Sequence, residues 1–120
     1  MMIAFVSDQY WPSVSGVSVS VLAFKLRIHL FVTDYQGSAE YDARHPEIEV
    51  SRFRSYQVFP TDESRLAHRS ERSSFFAELE ELQPHLIHVH TEFNLGKMAL
   101  DYGKKRNIPV LLTCHTIGRN

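Results

Sequence analysis

Residues 86–116, LIHVHTEFNLGKMALDYGKKRNIPVLLTCHT, read as strand, helix, strand, with polar groups delivered at the end of each strand. Residues 86–89 and 109–113 are short apolar runs containing β-branched residues, too short for helices, which is the pattern of strands buried on both faces. Between them Leu95, Met98, Ala99 and Tyr102 fall at i, i+3, i+4 and i+7, the stripe of a helix that packs on a sheet. Asn94 is placed to cap that helix, and Lys104, Lys105 and Arg106 complement the dipole at its far end before Pro109 forbids continuation. A strand–helix–strand unit makes its two strands parallel, so their carboxyl ends point the same way. Ligands of open parallel sheets bind beyond those ends, where His90, Thr91 and Glu92, and then His115 and Thr116, are delivered.

Composition narrows the classes. With 120 residues, 43% of them hydrophobic, the chain is one domain or part of one and can build a real core. A net charge of −1 leaves no electrostatic footprint for nucleic acid, so no such partner is expected. The single cysteine, Cys114, excludes an internal disulfide and fits a reducing compartment. No apolar run approaches the ~18–20 residues of a membrane span, and the first eight residues lack the build of a signal peptide. A soluble cytoplasmic protein is expected, with peripheral membrane contact left open.

Outward from the opening stretch, residues 3–6 form a strand that runs into SDQYWPSVSG. A loop with a glycine between a strand and the next element can bring backbone N–H groups to a phosphate, although an ordinary surface turn has the same punctuation. Residues 17–22 alternate apolar and polar and so favour a strand by period. Topology favours a helix there, because residues 3–6 and 28–32, as neighbouring parallel strands, need a crossover of a dozen or more residues. A helix over residues 16–25 is expected, and at roughly 15 Å it makes a tight crossover. Residues 48–53 read as a third, partly exposed edge strand carrying Ile48, Val50 and Phe53. Residues 55–72, with Pro60 and no period, read as a loop whose Arg65, His68, Arg69 and Arg72 form a solvated face rather than a polyanion site. Phe75, Phe76, Leu79 and Leu82 then make a helical stripe that Pro84 follows.

Three stretches carry a resemblance: IAFVSDQYWPSVSGVSVSV at residues 3–21, LQPHLIHVHTEFNLGKMAL at 82–100 and IPVLLTCHT at 108–116. In this order and spacing they resemble the amino-terminal domain of family 4 glycosyltransferases, retaining nucleotide-sugar-dependent enzymes of GT-B fold. Their wording is similar to that of members that glycosylate lipids, such as diacylglycerol glucosyltransferases and phosphatidylinositol mannosyltransferases. The resemblance implies a three-layer, Rossmann-like α/β domain whose five parallel strands, counted along the chain, stand in the order 3-2-1-4-5. It implies that residues 1–120 are the acceptor-side half, incomplete without a carboxy-terminal domain that holds the nucleotide. It further implies transfer of a hexose from a nucleotide sugar to a sugar or lipid acceptor, with no metal or other cofactor.

Residue by residue, the resemblance places the loop glycine, Gly16, against the donor pyrophosphate, where a Cβ would hold the anion away from the backbone. It places His115 beside the transferred sugar as the catalytic histidine, Asp8, Tyr10, Trp11 and Pro12 on the acceptor side, and His90, Thr91 and Glu92 elsewhere in the cleft. His85 stands where the family usually has aspartate, outside the cleft. The isolated chain is expected to be inactive and, with apolar surface uncovered, to self-associate. Two other readings stay open: a non-catalytic remnant or binding module of the same fold, and a metal-dependent hydrolase in which His88 and His90, at i and i+2 on one face of a strand, hold zinc together with Glu92 or His115.

Overall fold

The computed structural model describes residues 1–7, 27–34, 37–46, 49–57, 65–90 and 94–112. In chain order its elements are β1 (Met2–Ser7), β2 (Arg27–Thr33), α1 (Ser38–Arg44), β3 (Glu49–Phe53), β4 (Ser55–Gln57), β5 (Arg65–Ala67), a 3-10 turn (Arg69–Glu71), α2 (Arg72–Leu82), β6 (Leu86–Val89), α3 (Asn94–Arg106) and β7 (Val110–Leu112). Five strands form one sheet in the order β3-β2-β1-β6-β7, every pairing parallel. With β4 and β5 set apart as a small antiparallel hairpin, this is the 3-2-1-4-5 arrangement expected from sequence. The expected helix over residues 16–25 lies outside the described residues.

The register divides the side chains between two faces. One face gathers Ala4, Val6, Phe31, Phe53, Ile87 and Val89 against Phe75 and Leu79 of α2 and Leu95, Met98, Ala99 and Tyr102 of α3, all within a single buried cluster. The stripes read from sequence on both helices are the ones that are buried, with Phe76 and Leu82 packed at the margin. Phe31, Phe53 and Phe75 meet at its centre. The Phe75 ring stands edge-on to the other two, at centroid distances of 5.6 and 5.4 Å and interplanar angles of 84° and 88°, the arrangement the aromatic quadrupole favours. On the other face Ile3, Leu30 and Val32 are buried. Arg52 points to that side and makes a two-pronged ion pair with Asp42 of α1, at 3.0 and 2.9 Å, while also donating to the Thr33 carbonyl.

Four readings are corrected. The stretch 55–72 is not a plain loop, because it forms the β4–β5 hairpin and the 3-10 turn. The hairpin is held by tertiary bonds that leave no periodic trace: the His68 N–H donates to the Arg54 carbonyl at 2.8 Å, and Ala67 is fully buried. Helix α1, with its polar sequence SAEYDAR, was not expected at all. Asn94 is the first residue of α3 rather than a residue flanking it, and its side-chain amide donates to the Ala67 carbonyl at 2.8 Å, tying the helix to the hairpin. Strands β6 and β7 are not buried on both faces: β6 alternates between buried and half-buried residues, and β7 is an edge strand with Leu111 and Leu112 52% and 40% exposed.

The ends of α2 and α3 use left-handed residues. Gln83 (φ 52°) closes α2 with its N–H on the Leu79 carbonyl, and Asn107 (φ 58°) follows α3 as the Ile108 N–H returns to the Gly103 carbonyl. The two helices are joined through Glu80, which accepts from Tyr102 Oη at 2.6 Å and from Arg106. Burial and that carboxylate push the Tyr102 phenol up to about 12, and the Arg106 hydrogen bond holds Glu80 below its ordinary value. Arg72 pairs with Asp101 and lies over the Phe76 ring at 4.3 Å, so one of the cations read as a solvated face has a packing role.

Gly103 allows α3 to approach β7. A Cβ there would stand 2.5 Å from Val110 Cγ2 and 3.1 Å from the Ile108 carbonyl oxygen. Gly103→Ala is therefore expected to destabilise the domain by about 1–3 kcal/mol despite the better helix propensity of alanine, the usual cost of overpacking. Urea unfolding of the two proteins measures this, and an unchanged midpoint would mean that α3 and β7 are farther apart.

Candidate functional site

All five strands of the main sheet are parallel and end on the same rim, and in the sequence candidate residues follow three of those ends. β1 ends at Ser7, from which Asp8 follows directly; β6 leads into His90; β7 ends at Leu112, three residues before His115. Asp8, Tyr10, Trp11, Pro12, Gly16, Thr91, Glu92 and His115 themselves lie outside the described residues, so of the expected cleft residues the structure places His90.

His90 continues the β6 ladder, its N–H donating to the Val6 carbonyl at 2.8 Å, one residue beyond the Val6–Val89 pair. Its half-buried ring stacks on Phe5 with centroids 5.6 Å apart and planes at 29°. The same phenylalanine ring meets His88 edge-on at 5.0 Å and 71°. The two imidazoles thus share one face, as the i, i+2 spacing required, and both pack on Phe5. Among the described residues no group of three His, Cys, Asp or Glu is arranged to hold a metal ion. The Phe5 contact fixes the plane of the His90 ring at the end of β6, and an imidazole nitrogen can donate or accept a hydrogen bond.

Sequence reasoning missed a second group on this rim. Asp34 follows β2, its N–H donating to the Phe53 carbonyl at 2.9 Å. Ser55 Oγ lies 2.7 Å from Asp34 Oδ1 and 3.0 Å from the Asp34 carbonyl oxygen. By alternation Asp34 falls on the face of Val32, whose register partner is Ser7. The signal in the sequence is only that it is the first charged residue after the apolar run of β2, which is equally the mark of an ordinary strand end.

The amino ends of β2 and β3 present a different chemistry. A cavity of about 580 Å³ there is lined by Arg27, His29, Phe31, Glu49, Glu78 and Leu82 among others. Arg27 Nε donates to Glu49 at 2.9 Å, and the His29 ring shares a 2.8 Å hydrogen bond with Ser51 Oγ. Burial lowers the His29 pKa against the opposing pull of Glu49. His85, outside the cleft as expected, accepts from the Met2 N–H at 3.1 Å at this same end of the sheet.

Comparison with known proteins agrees with this fold. The model of Glycosyltransferase Family 4 matches residues 16–120. Alpha-monoglucosyldiacylglycerol synthase of Streptococcus pneumoniae is 29% identical over 124 residues, a match covering 97% of this chain and 27% of that protein. The protein of the same name from Acholeplasma laidlawii is 27% identical over 127 residues, covering 97% of this chain and 30% of its own length. The chain therefore spans less than a third of these relatives. Among solved structures, UDP-GlcNAc 2-epimerase from Neisseria meningitidis bound to UDP-GlcNAc superposes with a TM-score of 0.57 at 16% identity, covering 93% of this chain and 32% of that one, a likeness of fold.

Proposed function

The chain belongs to glycosyltransferase family 4, and from that premise we propose that it forms the acceptor-side wall of an enzyme that transfers a hexose from a nucleotide sugar to a lipid headgroup with retention of configuration. The observation that carries the reading is the common rim. Parallel strands β1, β6 and β7 bring Ser7, His90 and Leu112 to one end of the sheet, where a fold of this kind binds its ligands. The lipid acceptor is supported by the two relatives, both named as synthases of a glucosyldiacylglycerol.

In this reading Gly16 brings backbone N–H groups to the donor pyrophosphate, and Asp8, Tyr10, Trp11 and Pro12 line the acceptor side. His115 hydrogen-bonds a hydroxyl of the transferred sugar or stabilises the charge that develops as the bond to the leaving diphosphate stretches. His90 orients the sugar from the neighbouring strand. The reaction draws on no metal or prosthetic group. Among the described residues no helix is long and apolar enough to cross a membrane. In this reading the lipid acceptor is met by peripheral contact, from the cytoplasmic side.

His115→Ala tests the assignment. In a full-length family member carrying these residues it is expected to lower kcat by ~10²–10³-fold, the scale of losing one oriented donor, with unchanged folding by circular dichroism. Unchanged turnover would make His115 a packing residue and remove the catalytic role.

A further inference from the structure

Phe5 is the exception in the central strand. The other residues of β1 are buried, whereas Phe5 is half-buried. It takes no part in the cluster that α2 and α3 cover, because it points to the opposite face with Ile3, Leu30 and Val32. Its register partners are the buried Leu30 on β2 and His88 on β6, so the phenyl ring is held from both neighbouring strands. A large apolar ring left partly open beside the carboxyl rim adds little to the core. It lies instead against the one expected cleft residue that the structure places: the His90 ring rests on it with centroids 5.6 Å apart and planes at 29°. His88 meets the same ring edge-on at 5.0 Å and 71°.

The backbone of His90 is fixed by its N–H on the Val6 carbonyl, which leaves two side-chain torsions to decide where the imidazole nitrogens point. A flat face against the ring restricts those torsions, and a hydrogen bond weakens steeply once donor and acceptor leave their line. We infer that Phe5 is a positioning residue of the rim: steadied by His88, its ring sets the plane of the His90 imidazole and so the direction of the hydrogen bond from His90 to the transferred sugar. This rests on the transferase reading, in which His90 orients that sugar, and it gives His88 a task that needs no metal.

The test uses a full-length family member carrying Phe5, His88 and His90. Phe5→Leu keeps an apolar side chain and removes the flat face. It is expected to lower kcat ~10-fold with both KM values within ~2-fold, since misplacing an orienting group by about 1 Å can cost up to ~10²-fold, and to leave the circular dichroism unchanged. Phe5→Tyr keeps the face and should recover most of the rate. Once His90→Ala has removed the group that Phe5 positions, adding Phe5→Leu should lower kcat no further, whereas a ring that only supports the fold would lower it by the same factor in both backgrounds. Equal factors, or Phe5→Tyr as slow as Phe5→Leu, would overturn the inference. Full activity in Phe5→Leu beside a slow His90→Ala refutes this inference and leaves the transferase reading standing; full activity in His90→Ala removes His90 from that reading and the inference with it. A second measurement does not depend on turnover. In proton NMR of the 120-residue chain, the ring current of Phe5 is expected to move the His90 ring protons upfield, a shift lost in Phe5→Leu and kept in Phe5→Tyr. His90 ring protons that resonate alike in all three chains would overturn the inference as well.

Discussion

Incubated with labelled nucleotide sugars and a lipid panel, the 120-residue chain by itself is expected to form no glycolipid. Acceptor and donor have to be held in line from opposite walls, and such positioning supplies up to ~7–11 kcal/mol of the acceleration, on the order of 10⁵–10⁸ in rate. The described rim offers one wall, with His90 and Asp34 on a single sheet face, and the chain aligns with less than a third of each relative. If Gly16 meets the donor phosphate as proposed, that contact alone would leave most of the nucleotide in water, so donor affinity on the order of millimolar is expected. Sustained product formation that disappears in His115→Ala would show instead that these residues are catalytically sufficient.

Phe75→Ala is expected to cost about 3–5 kcal/mol, the range for deleting a buried aromatic ring. Phe75 is fully buried and edge-on to both Phe31 and Phe53, so its removal takes away two aromatic contacts and leaves a cavity between α2 and the sheet. Set against a total of about 5–15 kcal/mol for a domain, that loss brings the folded state close to balance. Denaturant unfolding measures it, with Leu111→Ala, 52% exposed, as a comparison expected within about 0.5 kcal/mol of the parent. Equal effects of the two substitutions would mean that the aromatic cluster is not the centre of the core.

What could be read from the sequence is what periodicity encodes. The α2 and α3 stripes and the five parallel strands follow from spacings of 3.6 and from short apolar runs, and the packing cluster uses those same residues. What could not be read is held by contacts distant in sequence. Helix α1 has seven polar-rich residues and no stripe; it begins after Gly37 at φ 92° and is fixed by the Asp42–Arg52 pair. The hairpin has three-residue strands, and its bonds reach from His68 to Arg54, from Ser55 to Asp34 and from Asn94 to Ala67. Asp34 has the same limitation, since a carboxylate after a strand is ordinary in one dimension. Its bond from Ser55 becomes visible only when its neighbours are known. His88 and His90 were legible as a same-face pair, whereas the Phe5 ring on which both pack was not.

The central claim, that this sheet rim is the acceptor-side wall of a retaining sugar transferase, is tested most directly by joining residues 1–120 to the remaining length of the Streptococcus pneumoniae relative and assaying the folded hybrid with labelled nucleotide sugars and a neutral diacyl lipid. The account predicts a labelled glycolipid whose anomeric configuration is that of the donor. A folded hybrid that binds nucleotide sugar yet forms no glycolipid, or forms one of inverted configuration, would contradict it.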